Sequence, residues 1–151
     1  MTTRRINTRG IIFKDGQILG QQLKPGQDGK MRDYWCTPGG GLDKGESLHE
    51  GLNREMIEET GIAPKIGKLL FIQQFFEASK DQEQIEFFFL IENPQDYKTI
   101  DLSRTSHGLI EIANVRFIDP GAHSLLPNFL QTIDIQSYID QTLPVLIANE
   151  L

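Results

Sequence analysis

The stretch from Gly40 to Ile62 reads GGLDKGESLHEGLNREMIEETGI, and the fold is decided there. Ser47 followed three residues later by Glu50 predicts a capping box, in which hydroxyl and carboxylate each satisfy an otherwise orphaned backbone N–H. Gly61 supplies the left-handed residue that stops such a helix, so the spacing predicts a helix over 48–60. At about 100° per residue, Leu48, Leu52 and Met56 form one apolar stripe suited to packing on a core. Glu55 and Glu59 fall inside that stripe, one on each side of Leu48 in projection, and Glu58 lies at its edge. Burying an unpaired carboxylate is costly. Glu55, Glu58 and Glu59 also stand at i, i+3 and i+4, where like charges repel. A hard divalent cation with oxygen ligands relieves both problems, and Mg²⁺ commonly takes carboxylates together with substrate phosphate oxygens. The blander alternative is a charged helix whose glutamates reach solvent past the stripe.

Working outward, Tyr34 to Thr37 predicts a short strand halted by Pro38 and the successive glycines Gly39, Gly40 and Gly41. Upstream, residues 5–13 and 17–23 are strand-like and joined through Asp15-Gly16, a tight-hairpin signal. Residues 24–30 form a polar loop. Downstream, Leu69 to Glu77 and Gln84 to Ile91 predict paired strands around Ser79-Lys80-Asp81-Gln82. Residues 93–110 read as a long polar connection, and Ile112 to Ile118 as another strand. Leu126, Phe129, Leu130 and Ile133, at i, i+3, i+4 and i+7, predict an amphipathic helix covering the sheet. Strands interspersed with two or three helices predict an α/β (α+β layered) domain around a mixed sheet.

Composition sets the outer bounds. The chain has 151 residues, a formal net charge of −6, 38% hydrophobic and 24% charged residues. These values fit one globular domain over 1–151 and exclude collagen-like, low-complexity and disulfide-scaffold classes. The longest apolar runs, such as Phe87 to Ile91, fall far short of the roughly 18 residues that span a bilayer. Arg4, Arg5 and Arg9 lead into too short an apolar run for a secretory signal. A single cysteine, Cys36, fits a reducing compartment, and the expected location is cytoplasmic. A net-acidic chain lacks the field for sequence-independent binding to duplex nucleic acid. No membrane partner is expected, and a homodimer stays open.

The 40–62 segment resembles the Nudix box, whose pattern is G-x5-E-x7-R-E-U-x-E-E-x-G-U with U a bulky aliphatic residue. Gly40, Glu46, Arg54, Glu55, Glu58, Glu59 and Gly61 match outright, Ile62 fills the last aliphatic slot, and Met56 fills the first without being branched. Seven matches at fixed spacing have a chance probability on the order of 10⁻⁹ per starting position. Trp35 with Pro38-Gly39-Gly40 resembles the usual lead-in, and Glu111-Ile112 with Val115 and Phe117 the family's late acid-and-strand segment.

The resemblance implies an α/β/α sandwich around a mixed sheet. It also implies hydrolysis of a nucleoside diphosphate linked to another moiety, with Mg²⁺ or Mn²⁺ as cofactor and a small nucleotide-type substrate. It makes Glu55, Glu58 and Glu59 the metal-ligand set, with Glu58, Glu59, Glu111 and Arg54 as catalytic candidates. Glu111 is the first candidate for general base outside the box and Glu86 the second. Arg54 points away from the apolar stripe, which suits an orienting ion pair with Glu46, while Gly40 and Gly61 shape the turns on either side. Candidate substrate contacts are Trp35, Arg32, Phe76 and Glu86. For Glu86 the alternative is an outward strand residue between buried Ile85 and Phe87; for Glu111 it is a strand-edge charge. Cys36 is read as a small core residue beside Trp35. The stretch Phe75-Phe76-Glu77-Ala78 lacks both the proline of many ADP-ribose-preferring relatives and the tyrosine of diadenosine polyphosphate hydrolases. A non-catalytic nucleotide-sensing module is the alternative function.

Overall fold

In the computed structural model, which describes residues 1–141 and 143–150, the chain builds two β-sheets with helices packed against them. The first strand, Thr3–Ile11 (β1), passes through Ile12 into Phe13–Lys14 (β2). Asp15 and Gly16 both take positive φ (52° and 77°) and close the expected hairpin onto Gln17–Leu23 (β3), pairing Lys14 with Gln17. Trp35–Cys36 (β4) pairs with β3, and Gly39–Gly41 (β5) pairs antiparallel with β1. The three glycines are thus a strand in their own right and do not merely stop the one before them. With no side chains to alternate, β5 carries no pattern that announces it.

The helix Leu48–Thr60 (α1) has the predicted ends: Ser47 accepts from the Glu50 N–H, Glu50 reaches back to Ser47, and Gly61 sits at φ 74°. A cap of this kind contributes about 1 kcal/mol. Ile66–Glu77 (β6) and Gln82–Ile91 (β7) pair antiparallel. β7 then pairs in parallel with β1 from Thr3–Gln82 through Ile11–Leu90. The connection over 93–110 is more built than expected: Tyr97 is buried and donates its hydroxyl to the Ile62 carbonyl. That connection ends in one turn of helix, Gly108–Glu111 (α2), which runs directly into Ile112–Ile118 (β8), antiparallel to β3.

The predicted helix through Leu126, Phe129, Leu130 and Ile133 does not form as one unit. Leu125–Leu126 (β9) pairs with β4, Asn128–Gln131 makes a 3₁₀ turn, and Ile135–Asp140 (α3) begins afresh, with Asp134 accepting from the Ser137 N–H. Pro127 explains the break, because proline disfavours helical backbone in the residue before it. Leu146–Glu150 (β10) closes the first sheet, whose order is β10-β6-β7-β1-β5; β2, β3, β4, β9 and β8 form the second.

Two apolar clusters hold the layers together. Leu52 and Met56 of α1 pack on Phe89, Ile91, Ile12 and Leu19. On the opposite side, Phe71, Phe88, Ile11 and Trp35 pack with Leu125, Leu130 and Ile135. Both faces of the first sheet are covered as a result, and this is what encloses the polar side chains described next. Among the described residues no helix is long and apolar enough to cross a membrane.

Candidate active site

Side chains at equal register in neighbouring strands share a sheet face. Arg5, Asn7 and Arg9 of β1 therefore lie beside Gln84 and Glu86 of β7, with Gln73, Phe75 and Glu77 of β6 beyond them. This face is apolar at one end, where Ile11, Phe88 and Phe71 join the core, and polar at the other. The polar end floors a cavity of about 490 Å³, walled by Tyr34, Leu126, Lys80, Gly39 and Gly40 and bordered by Glu55, Glu59 and Glu111.

Glu59 is 4% exposed, in keeping with its place inside the apolar stripe of α1. One of its oxygens accepts from the Gly39 N–H at 3.0 Å and from Gln21 Nε2 at 3.3 Å. Burial pushes its carboxyl up to about 8, against the opposing pull of the Gly39 N–H and of Arg9. Glu55 is raised as well, again chiefly by burial, with Arg54 opposing and Glu58 and Glu111 adding repulsion. Its carboxylate lies so close over Gly40 that a Cβ there would come within 2.6 Å of it. A side chain there would push the carboxylate aside.

Arg54 organises the outer side of the helix. Its guanidinium donates to Glu46 at 2.6 and 2.9 Å, to Glu55 at 3.0 Å, to Glu58 at 3.2 Å and to the Gly41 carbonyl at 3.0 Å. The hydrogen bonds from Arg54 and from the Asp43 N–H hold the Glu46 carboxyl down at about 2. On the cavity side Arg9 has the corresponding part. Its Nε donates to Glu86 at 2.8 Å and its Nη1 to the Thr37 and Gly39 carbonyls at 3.2 and 3.4 Å. The carbonyls on either side of the peptide that presents an N–H to Glu59 are therefore held by Arg9.

The placements expected from the sequence divide. Glu55, Glu59, Glu111 and Glu86 all border the cavity. Glu86 is 5% exposed and is the buried member of its strand segment, while Ile85 and Phe87 are half-buried, which reverses the alternation expected for an outward residue. Glu111 ends α2, and its carbonyl accepts from the Lys24 N–H at 2.8 Å. Glu58 lies outside the cavity lining, held by Arg54. Trp35 is a core residue under Arg116 and beside His123, Phe76 is exposed on the opposite sheet face, and Arg32 is exposed; none of the three lines the cavity. Cys36, read as core, is half-buried and lines the cavity. Sequence reasoning missed Asn7, Arg9, Gln21 and Gln84. For Asn7, Arg9 and Gln84 the only signal is the period-2 spacing of polar residues in β1 and β7, which reads as a solvent face until the strands are known to be neighbours.

Among the described residues no three His, Cys, Asp or Glu side chains gather as a ready-made metal site. The donor chemistry nonetheless fits a hard divalent cation. Glu55 and Glu59 are oxygen donors whose carboxyls burial raises, so a cation would offset the cost of ionising them there. Glu55 and Glu59 would hold such an ion, with Glu58 joining once released by Arg54.

A family model for the NUDIX domain matches residues 3–132. The chain belongs to the Nudix family. Curated relatives align over a minority of its length. An ADP-ribose pyrophosphatase of Methanocaldococcus jannaschii is 39% identical over 61 residues, 40% of this chain and 34% of that protein. An RNA pyrophosphohydrolase of Novosphingobium aromaticivorans is 36% identical over 61 residues, 40% of this chain and 32% of that one. The Nudix chain thus spans about a third of the length of these relatives. Among solved structures, the E. coli ORF135 protein superposes with a TM-score of 0.69 at 21% identity, covering 95% of this chain and 96% of that one. The MutT protein of Methanosarcina mazei Go1 gives 0.65 at 23% identity, covering 85% and 89%. At these identities the two structures establish the shared fold.

The raised Glu59 carboxyl gives the metal-free Nudix domain a defined pH response. A carboxyl higher in the folded than in the unfolded chain adds stability below its ordinary value near 4.5, and that stability is lost as pH rises through about 8. The metal-free melting temperature should therefore fall between pH 5 and pH 8, and a divalent cation should restore it at the upper end. Thermal melts in chelator across that range are the check; a flat profile would remove the buried-carboxyl account.

Proposed function

We propose that this protein is a metal-dependent pyrophosphohydrolase that cleaves the diphosphate linkage of a nucleoside diphosphate joined to another moiety. The observation that carries this reading is the pair of desolvated carboxylates, Glu55 and Glu59, at one end of a cavity sized for a small molecule. A diphosphate carried into an acidic site needs its charge neutralised. A bound Mg²⁺ or Mn²⁺ ion would do this and would acidify a water toward the attacking hydroxide. This chain's own residues position the groups. Gly39 and Gln21 orient Glu59, Arg9 holds the Thr37 and Gly39 carbonyls, and Arg54 keeps Glu46, Glu55 and Glu58 in place. Glu111, at the cavity rim and uncommitted to any side-chain hydrogen bond among the described residues, is suited to take the proton from the attacking water.

Relatives named as ADP-ribose and RNA pyrophosphatases share the diphosphate linkage and differ in the group attached, which agrees with this reading. The domain is taken to act over 1–151, in the cytoplasm, on a small nucleotide-type substrate without duplex nucleic acid or a membrane.

The test is phosphate or nucleotide release from a panel of nucleoside diphosphates linked to sugars, phosphates and nucleosides, with Mg²⁺, with Mn²⁺ and in excess chelator. Turnover that disappears in chelator is expected; none across the panel would overturn the proposal. In the same assay Glu111→Gln should lower kcat roughly 10²-fold or more, the usual contribution of general base catalysis. Metal affinity should be nearly unchanged. A wild-type kcat would return Glu111 to a structural role.

A further inference from the structure

The cavity changes character along its length. Beyond the Arg9–Glu86 pair the floor is made of amides whose directions are fixed by one another. Gln84 Nε2 donates to Glu77 Oε2 at 2.9 Å and to Gln82 Oε1 at 2.8 Å. A carboxylate only accepts, so Gln84 must turn its nitrogen toward Glu77 and its oxygen toward Asn7. That oxygen accepts from Asn7 Nδ2 at 2.7 Å. Asn7 Oδ1 is left as a fixed acceptor with no partner among the described residues. Glu86 is similar: Oε2 accepts from Arg9 and Oε1 has no partner among them. Asn7 is 3% exposed and Glu86 5% exposed, and both line the cavity. These two acceptors open onto the cavity, where a ligand can supply the hydrogens.

Asn7 and Glu86 are register partners in neighbouring strands, so their backbones lie about 4.8 Å apart. An exocyclic amine directs two hydrogens about 120° apart, and acceptors about 2.9 Å from its nitrogen stand about 5 Å from each other. Two acceptors carried on adjacent strands can therefore serve the two hydrogens of one amine. Phe75, on the same sheet face, and Leu126 and Tyr34 in the cavity wall supply apolar surface for the flat ring that would carry the amine. Two residues further along β1, about 7 Å away, Arg9 and Gly39 lead to the Glu59 end where phosphates belong.

We propose that Asn7 and Glu86 form a nucleobase subsite that reads an exocyclic amine. Resting on the pyrophosphohydrolase reading, this makes nucleotides of cytosine and adenine the preferred substrates over those of uracil and hypoxanthine. A carbonyl in place of the amine would set an acceptor against two acceptors, leaving all three without hydrogens. Sites of this kind discriminate strongly, because the rejected ligand strands buried polar groups.

Matched pairs of equal size test this: CTP against UTP, and ATP against ITP. The expected result is a kcat/KM ratio of roughly 10-fold or more for the amine in each pair. Glu86→Gln, whose amide can turn an N–H toward a carbonyl, should shrink or invert both ratios even where overall turnover drops. Equal wild-type rates within the pairs, or Glu86→Gln ratios unchanged from wild type, would overturn the subsite. If no triphosphate is hydrolysed, the hydrolase reading is decided separately by the panel of linked diphosphates. The subsite is then decided by thermal stabilisation with CMP against UMP: stronger stabilisation by CMP supports it and equality removes it. Because the wild-type ratios stand alone, a Glu86→Gln chain that fails to fold leaves the proposal decidable.

Discussion

Glu59→Gln should reduce metal-dependent pyrophosphate hydrolysis roughly 10³-fold or more, equivalent to about 4 kcal/mol of transition-state stabilisation. The fold should survive, because glutamine has the same shape and its oxygen can still accept from the Gly39 N–H, now 3.0 Å from a Glu59 oxygen. What it cannot supply is a charged oxygen to a cation. Stability should move opposite to activity. In chelator at pH 8 the variant should melt above the wild type, since it removes a carboxyl whose ionisation burial opposes. At pH 5, where that carboxyl is already neutral in the wild type, the two should melt together. Retained turnover would displace Glu59 from the chemistry, and a variant less stable at pH 8 would show that its charge is compensated within the chain.

The largest stability effect outside the cores is expected at Gly39. Its φ is 137°, and a Cβ built there would come 2.1 Å from the Thr8 carbonyl and 2.8 Å from the Arg9 Cα, both backbone atoms that cannot step aside. Strain in φ and overpacking act together, so Gly39→Ala should cost about 3 kcal/mol or more and lower the melting temperature by on the order of 10 °C. Activity should fall too, because the Gly39 N–H orients Glu59 and its carbonyl is held by Arg9. Gly45→Ala is the control. Gly45 also has positive φ, 87°, yet has nothing within 4 Å of the added carbon, so only the left-handed backbone penalty of about 1–2 kcal/mol applies. Equal destabilisation of the two variants in urea titrations would refute the steric account.

The parts legible in the sequence were those whose causes are local. The capping box and Gly61 define α1 without help from the rest of the chain, and Asp15-Gly16 defines its hairpin for the same reason. The carboxylates of α1 were legible because they interrupt an apolar stripe. Non-local causes were hidden. β5 exists because β1 passes beside it, and three glycines offer no period to detect. The polar floor needs β1, β7 and β6 to be adjacent, which strand patterns alone do not state, so Asn7, Arg9 and Gln84 looked like a wet face. The outward alternative for Glu86 rests on the same reasoning, and its burial removes that alternative. The C-terminal misreading was different in kind: helical spacing was present, but Pro127 and the cap at Asp134 were stronger signals than four apolar residues.

The parallel pairing of β1 with β7 also governs how the chain acquires its structure. Thr3 meets Gln82, and Ile11 meets Leu90, so each rung closes a loop of about 79 residues. During synthesis the first strand therefore waits until most of the chain has been made before it gains its principal neighbour. Closing such a loop costs entropy that local contacts cannot offset in advance, which slows folding relative to helical chains of equal length. The chain cannot fold progressively from its N-terminus. In that interval the edge of β1 that will meet β7, ending in Ile11, stands unpaired, and this is where self-association competes with folding.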